Sequence, residues 1–157
     1  MTNVSEITIV EERPDSAVAS DLLAELDAYL RSFPYPPESQ HAFSVERLLQ
    51  ERVAFLLTRV EGAAAGCGGI KLFGTEYGED KRMYVRPSFR GLGLGKAMLE
   101  RQAGHARDRH VGVLRLETGV YQAEAIGLYE RCGFQRRPPF GEYREDPMSI
   151  YFEKIIS

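Results

Sequence analysis

Near its start the chain alternates apolar and polar residues through "EITIVEE" (residues 6–12), and that period of two marks a strand. Pro14 and Asp15 end it, and Asp15 or Ser16 can cap a helix. Beyond the cap Leu22, Leu23, Leu26, Tyr29 and Leu30 recur at helical spacing. The prolines of "SFPYPPESQH" (residues 32–41) break that helix, and a short second one is predicted from residue 44 to about 50. The period then returns to two. Residues 53–60 and 63–73 read as strands joined by the turn at Glu61-Gly62, and residues 80–85 as a third. A glycine-rich loop leads into a helix over about residues 93–109, with Leu94, Met98, Leu99, Ala103 and Ala106 on one broad face. "VLRLET" (residues 113–118) alternates again, "AEAIGLYERC" (residues 123–132) forms a helix ended by Gly133, and "MSIYFEKI" (residues 148–155) supplies a last strand. This order predicts an α/β or α+β layer architecture with a mixed sheet, in one domain over residues 1–157.

Composition changes that picture little. The 157 residues are 43% hydrophobic and 27% charged, ordinary for a globular chain. A formal net charge of −3 argues against nucleic acid as a partner, because non-specific binding needs a broad basic surface. The longest strongly apolar run, "VAFLL", is too short for a bilayer, and the acidic N-terminal residues do not resemble a secretory signal. No membrane association and a cytoplasmic location are therefore expected. Cys67 and Cys132 offer no disulfide framework, and neither they nor the histidines show metal-ligand spacing, so no metal is expected. Both cysteines read as packing residues, and His105 and His110 as surface side chains.

Candidate chemistry concentrates in "RPSFRGLGLGKAM" (residues 86–98). A P-loop would need glycine at 90 and a hydroxyl at 97, where Arg90 and Ala97 stand. The dinucleotide fingerprint fits Gly91 and Gly93, then meets Lys96 in place of its third glycine, and it sits in mid-chain after three strands. A ligand-free turn would not explain why Arg86, Arg90 and Lys96 cluster around the glycines. Glycines let successive amides close on an anion, and the helix N-terminus behind them adds about half a positive charge. Arg90 can add a bidentate contact. Together these features read as a pyrophosphate site.

The stretch "YVRPSFRGLGLGKAML" resembles the acyl-CoA signature of the GCN5-related N-acetyltransferases (GNAT), Arg/Gln-x-x-Gly-x-Gly/Ala, met by Arg90, Gly93 and Gly95. A second block, "QAEAIGLYERCGF" (residues 122–134), resembles a later helix of that family, with Ala125, Leu128, Tyr129, Gly133 and Phe134 at matching spacing. The resemblance implies a mixed, mostly antiparallel sheet with a splay between two parallel strands, flanked by helices. It implies acetyl-CoA as cosubstrate, no metal, and direct transfer to a primary amine of a small molecule, amino acid or peptide. Homodimers occur among similar proteins.

Residue by residue, the resemblance implies that the strand end Met83, Tyr84 and Val85 pairs with pantetheine. Arg90 and the loop Gly91, Leu92, Gly93, Leu94, Gly95 and Lys96 would hold the pyrophosphate. Gln122 stands where the family often has a cofactor-contacting asparagine. Tyr129 stands where the family places the acid that protonates the leaving thiolate, and a phenol suits that task. Glu79 and Glu117, near the ends of two strands, are candidate bases. Tyr35, Ser39 and His41, between the first helices, are positioned to shape an acceptor pocket, as is Tyr143 in the turn-rich segment 136–149. That segment resembles a Pro-Phe-Gly-x-Tyr, Asp-Pro-x-Ser tail of a bacterial branch, some of whose members carry names such as indole-acetic-acid acetyltransferase. Two other readings stay open at this point. One is an acyl-CoA sensor without turnover, the other a nicotinamide-dependent oxidoreductase.

Overall fold

The first two α-helices start where a serine side chain satisfies an open amide. Ser16 accepts from the Ala19 amide and opens α1 (Ala17–Arg31), and Ser44 accepts from the Arg47 amide and opens α2 (Val45–Gln50). These elements belong to a computed structural model that describes residues 6–40 and 43–157. The remaining helices are α3 (Leu94–Arg107) and α4 (Ala123–Arg131).

The strands are β1 (Ile7–Glu11), β2 (Ala54–Val60), β3 (Ala63–Phe73), β4 (Tyr77–Val85), β5 (Val113–Gly119), β6 (Gln135–Arg137) and β7 (Ser149–Ile155). They form a seven-stranded sheet in the order β1-β2-β3-β4-β5-β7-β6. Every neighbouring pair is antiparallel except β4 and β5. The mixed sheet implied by the sequence is therefore the sheet observed.

Alternation along the strands gives the sheet two buried faces. On one, Leu22, Leu23 and Leu26 of α1 and Leu48 of α2 pack against Phe55, Leu57 and Cys67. On the other, Leu99 and Ala103 of α3 and Tyr129 of α4 pack against Leu114, Leu116 and Phe152. A smaller aromatic cluster of Tyr77, Phe140 and Tyr151 anchors the loop between β6 and β7.

Two expectations need correction. β4 begins at Tyr77, three residues before the predicted start at 80, in a stretch whose polarity hides it. Gly78 fits there because a side chain would strike Ile70, with an added Cβ 2.9 Å from its Cδ1. His105 is no surface histidine. It is 7% exposed with Nδ1 3.5 Å from Glu11 Oε1, and burial lowers its pKa with help from Arg109. The Cys67 thiol, buried and pushed up to about 12, is held protonated against the Arg82 carbonyl. Among the described residues no helix is long and apolar enough to cross a membrane, and no group of acidic, histidine or cysteine side chains is arranged to hold a metal ion.

Candidate active site

β4 and β5 meet only at Gly78↔Leu114 and Glu79↔Arg115, and then diverge. The β4 edge beyond Glu79 consequently has no paired strand on the β5 side. A bulge sharpens the divergence. Register slips opposite Cys67 and Gly69, and Arg82 takes φ 58°, a left-handed conformation costly for a non-glycine residue. Arg82 Nη2 donates to Asp27 of α1 at 2.6 Å, which holds the bulge in place. The result is a cleft of about 390 Å³ running from the glycine loop to Tyr129.

At one end of the cleft the glycine loop turns into α3. Gly91 and Gly93 have φ 80° and 79°, and nothing lies within 4 Å of where a side chain would sit on either. Their requirement is conformational, and it leaves the backbone open to a ligand. As the first residues of α3, Leu94, Gly95 and Lys96 have amides without intrahelical acceptors. Gly95 has a further role, because an added Cβ would lie 2.6 Å from Leu128 Cδ2 of α4. The basic trio is less concerted than its spacing suggests. Arg86 is turned away into a bidentate pair with Glu25, with Nη2 2.7 Å from Oε2. Arg90 donates to the Val85 carbonyl at 3.1 Å and pairs with Glu124 at 3.3 Å. Lys96 is exposed. The strand end Met83, Tyr84 and Val85 lines the cleft; the side chains of Met83 and Val85 are half-buried, and the buried Tyr84 donates from its hydroxyl to Glu25.

Strand parity divides the ionisable groups between the two sheet faces. Glu79 and Lys81 share one face of β4, and Asp80 points to the other. Glu79, 3% exposed, accepts from Tyr143 Oη at 2.6 Å and from Lys81 Nζ at 3.0 Å. Lys81 in turn lies 4.4 Å over the Phe43 ring. Burial and the Glu79 charge raise the Tyr143 pKa, which keeps its proton as a donor. Glu117 is half-buried, lines the same cleft and accepts from Ser149 Oγ at 2.8 Å. Across the sheet, Tyr129 Oη lies 3.4 Å from Asp80 Oδ2, its ring held edge-on to Phe134. Burial raises the Tyr129 pKa well above its ordinary value, and the Asp80 charge adds to this.

A second cavity, about 1240 Å³, adjoins the cleft, and both are lined by Phe43, Glu79, Lys81 and Tyr143. The two segments expected to shape a pocket are joined here, since Ser39 Oγ donates to Asp146 at 3.1 Å. Tyr35 stands elsewhere, at the end of β5. Its hydroxyl accepts from the Tyr121 amide at 3.0 Å and from Gln122 Nε2 at 3.2 Å, and it packs where a Gly119 side chain would be. The Gln122 amide is thereby committed to Tyr35. His41 lies outside the described residues.

Three residues escaped the sequence reading. Asp80 is 7% exposed, and desolvation pushes its carboxyl up to about 6. Gln102 of α3 donates to Asp80 Oδ1 at 2.7 Å and to the Gly69 carbonyl at 3.1 Å. Lys81 is the third. One signal was visible: Gln102 falls four residues from both Met98 and Ala106, a polar side chain inside the apolar stripe of its helix.

Residues 21–134 match the acetyltransferase (GNAT) family. The IAA acetyltransferase of Azospirillum brasilense is 44% identical, over 96% of this chain and 98% of that protein. The uncharacterized N-acetyltransferase YsnE of Bacillus subtilis is 37% identical, over 77% and 82% of the two chains. Among solved structures, a presumed acyl-CoA N-acyltransferase of Klebsiella pneumoniae superposes with a TM-score of 0.80 at 37% identity, over 96% of this chain and 98% of that one. The PaiA N-acetyltransferase of Thermoplasma acidophilum, solved with coenzyme A, shares the fold at a TM-score of 0.77 and 18% identity, over 96% and 99%. With its splayed parallel pair, its glycine loop and a family match over most of its length, the chain belongs to the acetyltransferase (GNAT) family and is an acyltransferase.

Proposed function

We propose that this protein moves the acetyl group of acetyl-CoA to a primary amine by direct attack. The observation that carries the reading is the cleft at the splay. An open glycine loop stands at one end, and a buried phenol and a buried carboxylate approach the middle from opposite sheet faces. The positive-φ glycines, with empty space around them, fit a pyrophosphate. The unpaired β4 edge over Met83, Tyr84 and Val85 offers amides and carbonyls to an extended pantetheine arm. Leu92, Leu94, Gly95 and Lys96 contribute backbone to the same cradle. Arg90 braces it through Val85 while adding charge. Gln122, fixed by Tyr35, borders the cleft from the start of α4. Acetyl-CoA supplies an activated acetyl thioester.

Glu79 is the favoured base. It is buried where the two cavities meet, so an amine entering from the second cavity reaches it before reaching the splay. Lys81 and Tyr143 hold its carboxylate in place while leaving Oε1 for the amine or a bridging water. Glu117 serves from the neighbouring strand if Glu79 is dispensable. Tyr129 gives the proton to the departing sulfur from the opposite face. Ser39 and Tyr143 belong to the acceptor side, and Tyr35 closes the β5 end.

The test is to titrate purified protein with acetyl-CoA and with NAD, then screen amines by thiol release with mass analysis of the products. We expect acetyl-CoA binding and an N-acetylated product. Binding with no thiol release across the panel would make the protein a sensor, and preference for NAD would make it an oxidoreductase.

A further inference from the structure

We propose that Asp80 is the proton reserve behind Tyr129. As a neutral acid it donates to Tyr129 Oη, turns that hydroxyl's own hydrogen toward the cleft, and replaces the proton that Tyr129 passes on. This rests on the reading of Tyr129 as the donor to the leaving sulfur.

The geometry poses a problem that the proposal solves. A phenol has one hydrogen, and 3.4 Å away lies a buried carboxylate able to accept it. When Asp80 is ionised, that hydrogen points to Oδ2 and away from the cleft. When Asp80 is protonated, the direction reverses. Among the described residues no cation bonds Asp80: its other oxygen accepts from the neutral Gln102 amide, which favours ionisation without enforcing it, and Lys81 is tied to Glu79 on the opposite face. The groups around the pair are Cys67 from β3, Gln102 from α3, Tyr129 from α4 and Cys132 just past its end, Glu117 from β5, and Glu79 and Lys81 on β4 itself. Desolvation outweighs the Gln102 and Tyr129 hydrogen bonds and the charge of Lys81, the one cation in that set, leaving the Asp80 carboxyl at about 6.

Tyr129 alone is a poor acid, because burial raises its pKa well above that of a phenol in water. A thiolate with an ordinary pKa of about 8.5 would not take its proton downhill, whereas a proton supplied by Asp80 runs downhill. The step balances. An S–H bond forms as the Tyr129 O–H breaks, the Tyr129 O–H re-forms with the Asp80 proton, and Asp80 is left as carboxylate. No oxidant or reductant is needed. Asp80 regains its proton from solvent once the thiol leaves, and negative charge on the sulfur raises its proton affinity meanwhile.

The experiment compares wild type, Asp80→Asn, Gln102→Met and Tyr129→Phe by turnover against pH, by KM for acetyl-CoA, and by carbon NMR of the carboxyl groups in the free protein. One carboxyl should titrate near 6, vanish in Asp80→Asn, and move upward in Gln102→Met, which removes the donor that favours ionisation. The alkaline limb of turnover should disappear in Asp80→Asn with a loss of roughly 10-fold or more and no change in KM, and shift upward in Gln102→Met. A role in packing alone would leave that limb where it is. If Asp80→Asn does not fold, the limb in Gln102→Met decides. Wild-type turnover and limb in Asp80→Asn, or no carboxyl titrating above the ordinary range, overturn the proposal. Full turnover in Tyr129→Phe overturns the donor reading itself, whereas an impaired Tyr129→Phe beside a normal Asp80→Asn overturns the relay alone.

Discussion

A carboxylate is seldom buried without a cation bonded to it, and among the described residues none bonds Asp80. Its stability signature follows from the direction of its shift. With the folded pKa raised from the ordinary value to about 6, the folded state holds this proton longer than the unfolded chain does. The stabilising contribution is full below about pH 4 and is lost as pH rises through about 6. Above that, ionised Asp80 costs up to about 3 kcal/mol. Asp80→Asn should therefore gain stability relative to wild type on going from pH 4.5 to pH 8, by about 2 kcal/mol. Urea unfolding at both values measures it, and a difference independent of pH would show that Asp80 stays ionised or exposed. Carboxylates held low by Arg86 or Arg59, such as Glu25 and Glu12, titrate alike in both proteins and cancel.

At the scale of elements, most of the fold was legible because strand and helix periods are clean. The glycine loop stood out because its residues are local. What stayed hidden depends on distant partners. Ser39 and Asp146 meet across 107 positions, and nothing in either segment announces the other. Asp80 was unreadable because "EDKR" (residues 79–82) is charged throughout, so alternation could not tell which acid faces α3, and the bulge at Arg82 then breaks the register. Gly95 was read with its neighbours as phosphate-binding, although its clash with Leu128 gives it a packing reason of its own. Two glycines of one motif should hence respond differently. Gly95→Ala should cost roughly 1–3 kcal/mol by overpacking α3 against α4. Gly93→Ala should cost about 1–2 kcal/mol from its left-handed φ, with the larger loss in acetyl-CoA affinity. Denaturant unfolding and calorimetry on the two variants separate these effects. Equal affinity losses at equal stability would mean that Gly95 also faces the ligand.

At the scale of the whole molecule, the sheet is the organising device. Pairing between β4 and β5 stops after two residue pairs, the bulge turns the β4 edge aside, and alternation delivers Glu79 to one side of the gap. α4 brings Tyr129 to the other side, and the loop tethered by Ser39 and Asp146 borders the second cavity where it meets the first. Cofactor and acceptor would thus approach the gap along separate cavities whose shared wall carries Glu79, Lys81 and Tyr143. Tyr129→Phe keeps the ring packing against Phe134 and Phe152 and removes only the hydroxyl. Single-turnover transfer from acetyl-CoA to the best amine, where chemistry and not product release sets the rate, is the decisive measurement. The account predicts unchanged acetyl-CoA affinity and a rate lower by roughly 10²-fold. A Tyr129→Phe protein that transfers acetyl at the full wild-type rate would contradict it.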